Sequence, residues 1–212
     1  MRKYILPFLI LLFLSFPIIP QEKGIKIEWV NTLDGDFSFS QQWDYTDYVY
    51  KNDYGQLICD AICHPDTENM MDERGKIFED SLHRYYQLVD TTHLYSSIEC
   101  EASVYGWAGT NHLVLNKTDD KTFEANTLCR GGTCSSLYLI LKNDTCIPSV
   151  KFFSPAGTEG TEYFRCKKGY IKIDKTLLDK DILKAEFDFS FDDPYNKDKN
   201  IYWRGKILSQ IN

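Results

Sequence analysis

The chain has 212 residues, with 31 acidic against 24 basic side chains, a net charge of −7, 43% hydrophobic and 15% aromatic residues. That is too apolar for a disordered chain and enough for one core, so a single globular domain is expected. The acidic balance argues against a nucleic-acid partner, because that affinity starts from a basic surface that releases counterions.

Arg2 and Lys3 precede an uncharged apolar run from Tyr4 to Ile19, which reads as the charged and hydrophobic regions of an export signal. Residues 1–20 are therefore expected to be a signal peptide. Residues 21–212 would then form a β-rich extracytoplasmic domain, either secreted or periplasmic. Ile18-Ile19-Pro20-Gln21 lacks the small residues of a cleavage site. An uncleaved N-terminal anchor is thus the alternative, and it is the only membrane contact anticipated. Loss of residues 1–20 removes Arg2 and Lys3 and no acid, leaving a net charge of −9.

Ile25-Lys26-Ile27-Glu28-Trp29 alternates apolar and polar side chains, the period of a strand with one buried face. Phe37 to Phe39 continues the strand-like pattern less regularly. In Trp43 to Tyr54, five aromatic residues interleave with three aspartates and Asn52. Flat rings stack on the apolar face of a ligand while carboxylates fix its orientation. Trp43, Asp44, Tyr45, Asp47, Tyr48, Tyr50 and Tyr54 are accordingly the candidate ligand-binding residues, for a small molecule, a glycan or a protein. Tyr105 and Trp107 would extend that surface. The competing reading is that these rings fill the core.

Cys59-Asp60-Ala61-Ile62-Cys63-His64 resembles the covalent attachment site of c-type haem, over these six residues only. The resemblance would put thioether links on Cys59 and Cys63 and make His64 the proximal ligand, with Met70, Met71, His83 or His93 as the sixth. Three residues separate the cysteines where that family has two. A local Cys59–Cys63 disulfide is the preferred reading, and no cofactor is expected. The four histidines, at 64, 83, 93 and 112, show no paired metal-ligand spacing, so no metal site is assigned.

Phe78, Leu82, Tyr85 and Val89 fall at i, i+4, i+7 and i+11, which predicts an amphipathic helix over about 76–90 covering one face or end of the sheet. Glu79 stands four residues before His83 and would orient it on that helix. Ser81 lacks the G-x-S-x-G elbow of a nucleophilic serine. No catalytic residue can be assigned on this basis.

Beyond the helix the period of two returns in Ile98 to Trp107, His112 to Leu115, Phe123 to Leu128, Ser136 to Leu141, Ser149 to Phe153, Ile171 to Asp174, Ala185 to Phe191 and Tyr202 to Leu208. Phe187, Phe189 and Phe191 should point inward, with Glu186, Asp188 and Ser190 outward. Asp53-Tyr54-Gly55, Gly131-Gly132, residues 157–160 and Asp192-Asp193-Pro194 punctuate the strands as turns. Lys175 to Lys184 allows a short helical turn. Arg165, Lys167, Lys168, Lys172 and Lys175 are spaced as the solvated side of a strand pair. The expected fold is mainly β, an antiparallel sandwich or partly closed barrel with one amphipathic helix, the alternative being α+β.

Seven cysteines in an exported chain imply disulfides with one thiol left over. Cys129 and Cys134 flank a four-residue hairpin loop, Cys146 and Cys166 border successive strands, and Cys59 and Cys63 form the third candidate pair. Cys100 follows the apolar alternation and reads as a buried thiol. The acid-rich loop Asp192, Asp193, Asn196, Asp198 and Asn200 has oxygen ligands for calcium but reads better as a solvated hairpin loop. The resulting expectation is an exported, non-catalytic binding or interaction module. The alternatives are a secreted hydrolase using His83 with nearby carboxylates, or a c-type-haem-like redox protein.

Overall fold

Long strands of strictly alternating side chains must either pair in a sheet with one wet face or close on themselves. The computed structural model describes residues 24–46, 48–59, 64–119, 121–129, 132–155, 161–193, 195–196 and 198–211. The predicted signal segment and the turn at 157–160 lie outside these, as do Gly131 and Pro194. In the N-terminal half the strands are short: β1 (Ile25–Lys26), β2 (Glu28–Val30), β3 (Trp43–Tyr45), β4 (Val49–Lys51) and β5 (Leu57–Cys59), followed by helix α1 (Leu82–Leu88) and β6 (His93–Tyr95). Then come β7 (Ile98–Ser103), β8 (Trp107–Ala108), β9 (Leu113–Asp119), β10 (Thr122–Thr127), β11 (Cys134–Lys142) and β12 (Thr145–Phe153). The chain finishes with β13 (Thr161–Asp174), α2 (Lys175–Leu178), β14 (Ile182–Phe191) and β15 (Ile201–Gln210).

The main sheet runs in the order β7-β15-β14-β13-β12-β11-β10-β9, with antiparallel neighbours throughout. It curls into a half-barrel, so the barrel-like form of the expected mainly β fold is the one adopted. Leu115, Leu139, Val150, Ile171, Phe187, Phe189 and Trp203 all meet in one cluster inside the curl. The alternation predicted for Phe187, Phe189 and Phe191 is the alternation observed, all three being buried. Ser97 ties the two edges of the sheet together at one end. Its N–H donates to the Asn111 carbonyl (2.9 Å), its Oγ accepts from the Leu113 N–H (2.7 Å), and its carbonyl accepts from the Leu208 N–H (3.0 Å).

Pairing of β12 with β13 stops at Ser149 opposite Arg165, and the N-terminal strands occupy the divergence beyond it. There β1 pairs antiparallel with β12, Ile25 opposite Cys146, while β2 runs parallel to β13, Trp29 opposite Ile173. Outside the curl, charges alternate across strands. Glu99 faces Lys206, Lys206 faces Glu186, Glu186 faces Lys172, and Lys172 faces Glu28. Opposite charges at facing positions contribute a few tenths of a kcal/mol each, about 0.2–1 kcal/mol. This is the solvated face expected for the basic stretch around Lys172.

Three local expectations are corrected. Phe37 to Phe39 is not a strand: Asp36 Oδ1 accepts the Ser38 N–H (2.9 Å), Ser40 Oγ donates to the Phe37 carbonyl (2.9 Å), and Ser38–Gln41 forms a 3-10 turn that buries Phe39. Short Asp and Ser side chains compete here with strand pairing by bonding nearby backbone. The helix expected over 76–90 is only α1, because Ile77 and Phe78 are held outside it and residues 79–81 form a turn. The Ile77 N–H donates to Gln56 Oε1 (2.8 Å) and the Phe78 N–H to the Met70 carbonyl (3.0 Å), which leaves Phe78 46% exposed. Nor does this helix cover the main sheet. Tyr85 and Val89 join Val49, Ile58, Met70 and Ile77 in a second, smaller core over the β4–β5 hairpin. Finally, Ile98 to Trp107 breaks into β7 and β8 at Gly106, whose φ of 67° and approach to Thr133 leave no room for a Cβ.

Candidate ligand-binding site

Two short strands far apart in the chain form a separate ribbon. β3 and β6 pair antiparallel with Trp43 opposite Tyr95, Asp44 opposite Leu94 and Tyr45 opposite His93. Because side chains alternate along a strand, Trp43, Tyr45, His93 and Tyr95 share one face. Trp43 and His93 stack with centroids 3.6 Å apart and planes inclined by 12°. Tyr45 meets both edge-on, at 5.2 Å from Trp43 and 5.5 Å from His93. Trp43 is 41% exposed and Tyr95 57%, while Tyr45 is half-buried and leans on the smaller core.

The ribbon is anchored at its ends. The Ser96 N–H donates to the Gln42 carbonyl (2.9 Å) and Thr46 Oγ1 to the Asp90 carbonyl (2.7 Å). Asp90 in turn accepts the Thr92 N–H (2.9 Å) and its hydroxyl, bonds that hold the Asp90 carboxyl below the usual carboxylate range. A ring surface pinned at both ends loses little conformational freedom on meeting a ligand.

The candidate residues are not brought together as one surface. Asp44 projects from the opposite face of the ribbon, lining a cleft of about 230 Å³ with Glu99 and Asn111. Tyr48, Tyr50 and Tyr54 are exposed on the β4–β5 hairpin and its approach. Tyr48 takes a φ of 64°, a left-handed conformation that is strained for a bulky side chain. Asp47 lies outside the described residues. Tyr105 packs at the rim of the large core against Phe152 and Phe164, its hydroxyl donating to Asp193 Oδ2 (2.8 Å). Trp107 is 74% exposed and borders a cleft behind the ribbon together with Leu94. His93 and Tyr95 are absent from the ligand-binding residues expected from the sequence, where His93 figures only as a possible haem ligand. Their one available signal was the alternation His93-Leu94-Tyr95, which matches Trp43-Asp44-Tyr45.

The other chemistry-bearing residues are placed as follows. Residue 79 precedes α1, so Glu79 does not stand one helical turn from His83, whose Nε2 lies 3.1 Å from Gln87 Nε2. His64 accepts the Asp66 N–H through Nδ1 (3.3 Å) and caps the Pro65–Met70 3-10 turn. Residues 60–63 lie outside the described residues, and with them the Cys63 end of the predicted bridge.

The bridges expected at Cys129–Cys134 and Cys146–Cys166 are not closed in the structure, where these four residues and Cys100 are thiols. Cys134 Sγ donates to the Cys129 carbonyl (3.6 Å) and Cys129 Sγ to the Trp107 carbonyl (3.1 Å). Burial pushes the Cys129 thiol up to about 12 and the Cys166 thiol up to about 11, and it raises Cys146 as well. Asp193 Oδ1 accepts the Tyr195 and Asn196 N–H groups (2.8 and 3.0 Å), so its oxygens organise the acid-rich loop itself. Among the described residues no three His, Cys, Asp or Glu side chains converge as a metal site, and no helix is long and apolar enough to cross a membrane. No protein family, curated protein or solved structure matches the chain.

Proposed function

We propose that this chain is an exported, non-catalytic binding module that captures its ligand on the face formed by Trp43, Tyr45, His93 and Tyr95. The observation that carries this reading is the solvent-facing stack of Trp43 on His93. Contiguous aromatic surface turned outward on a pinned ribbon has its use in contact with a partner. Flat rings with a hydroxyl and an imidazole at their edges suit a ligand that has an apolar face and a polar rim, as a pyranose ring does.

Trp43→Ala and Tyr95→Ala should each lower retention on immobilised polysaccharide at least about tenfold, equivalent to about 1.4 kcal/mol. Both variants should unfold at the wild-type urea concentration, since the rings they remove face solvent. Unchanged retention, or a variant that unfolds markedly earlier, would reject the surface as a binding face.

Export places the thiols in an oxidising compartment. There Cys129 pairs with Cys134 and Cys146 with Cys166, each bond forming as two thiols give two protons and two electrons to a disulfide-bearing oxidant. With Cys59–Cys63 also closed, alkylation of the unreduced exported protein leaves one thiol to label, Cys100. Intact-mass measurement with all seven cysteines alkylated before reduction would overturn both the pairing and the assumed compartment.

A further inference from the structure

The outer face of β10–β13 carries a cleft of about 540 Å³ that the ribbon does not touch. Its floor follows from the strand register. Asn126 faces Tyr138, Ser136 faces Lys151, Lys151 faces Tyr163, and Phe153 faces Thr161. Phe153 and Tyr163 are large rings turned to solvent. Tyr138 is fixed beside them, its hydroxyl donating to Glu124 Oε2 (2.8 Å). The Lys151 side chain is exposed, and its ammonium makes no hydrogen bond or ion pair with any described residue. A cation therefore stands uncompensated between aromatic walls, on a chain whose net charge is −7.

We infer that this cleft is a second binding site, taking a carboxylate-bearing saccharide. Phe153 and Tyr163 offer faces for the apolar side of a sugar ring, Lys151 pairs with the carboxylate, and Asn126 and Ser136 meet hydroxyl groups. An extended peptide is disfavoured by topology: from Ser149 to Phe153, the stretch under the cleft, β12 is paired with β11 on one side and β13 on the other, so strand addition finds no open edge there. A single cation, rather than a basic stripe, is also too little for a nucleic-acid backbone. The site is independent of the ribbon reading.

The test is calorimetric titration of the full exported chain with short oligogalacturonates, with neutral cello-oligosaccharides and a poly-glutamate peptide as comparators. Oligogalacturonate should bind most tightly, with affinity that weakens as salt rises. Lys151→Gln should lose about tenfold and Lys151→Arg should retain binding, the size expected for one charge-assisted hydrogen bond. Tyr163→Ala should weaken both acidic and neutral sugars. All three variants replace exposed side chains, and their urea midpoints verify the fold. The series is repeated on the Trp43→Ala background, which removes the ribbon's contribution, so that binding sensitive to Lys151→Gln there belongs to the cleft and failure here is separated from failure at the ribbon. On that background, no binding of oligogalacturonate, equal binding of the neutral sugar or of poly-glutamate, or indifference to Lys151→Gln would each overturn the assignment.

Discussion

Trp203→Ala should destabilise the chain by about 3–5 kcal/mol, a large share of the roughly 5–15 kcal/mol that holds a domain folded. Trp203 is 0% exposed in the middle of β15, between Phe189 on β14 and Ala102 on β7. Its removal leaves an indole-sized void in the curled interior, which the paired strands around it cannot collapse to fill. It also strips a partner from Cys100, whose Sγ accepts the indole N–H at 3.0 Å. Burial pushes that thiol up to about 12, so it stays neutral and does not take up the loss by ionising.

Trp203→Phe keeps a ring in place and should cost about 1–2 kcal/mol for the lost volume and hydrogen bond. Trp107→Ala removes the same residue type from an exposed position and should stay within about 0.5 kcal/mol of wild type. Urea unfolding followed by circular dichroism distinguishes these values. A Trp203→Ala variant as stable as Trp107→Ala would mean that the half-barrel interior is not packed around this indole.

The second large effect is expected at Asp174, the last residue of β13 and the cap of α2. Its carboxylate is buried, with Oδ1 accepting the Leu177 N–H and Oδ2 the Leu33 N–H, both at 3.0 Å. Asp174→Ala removes a helix cap and leaves the Leu33 amide without its acceptor in a buried place, a combined loss of about 2–4 kcal/mol. Asp174→Asn still fails, because its NH₂ must face one of two N–H donors.

Burial by itself would raise the Asp174 carboxyl, but the two backbone N–H groups and nearby Lys184 outweigh it, and the pKa is held below the ordinary carboxylate value. A depressed folded pKa means stability present above the unfolded value, about 3.9, and lost as pH falls through the folded one. The advantage of wild type over Asp174→Asn in urea melts should therefore be full at neutral pH and shrink below about pH 4. An advantage that instead grew with acidity would show that the carboxyl is bound in its protonated form.

Much of the architecture was legible because a strand's side-chain period is local. Phe187, Phe189 and Phe191 alternate with Glu186, Asp188 and Ser190, and no other arrangement buries the first set while hydrating the second. The short helical turn expected within Lys175 to Lys184 forms only over Lys175–Leu178, where Asp174 caps it, and Ile182 to Lys184 already belong to β14. The helix around Leu82 was readable only in part. Apolar spacing marked Tyr85 and Val89 as buried, but Phe78 obeys the same spacing and lies outside the helix. What excludes it is a distant side chain, Gln56, together with the Met70 carbonyl.

The aromatic residues mark the boundary most plainly. Composition and alternation determined that this chain builds a β fold with a ring-rich core and rings to spare. They did not determine which rings go where. Trp203 is sealed in the curl, Trp43 stacks on His93 in view of solvent, and Trp107 stands nearly bare, although all three sit in strands. Likewise Asp44 was grouped with Trp43 and Tyr45 by adjacency, yet the pleat turns it to the other face and sets His93 beside them instead. Which face of a short strand is buried depends on its partner, and β3 finds its partner in β6, across the whole smaller core. That pairing is a long-range choice among hydrogen bonds, and only the tertiary structure makes it.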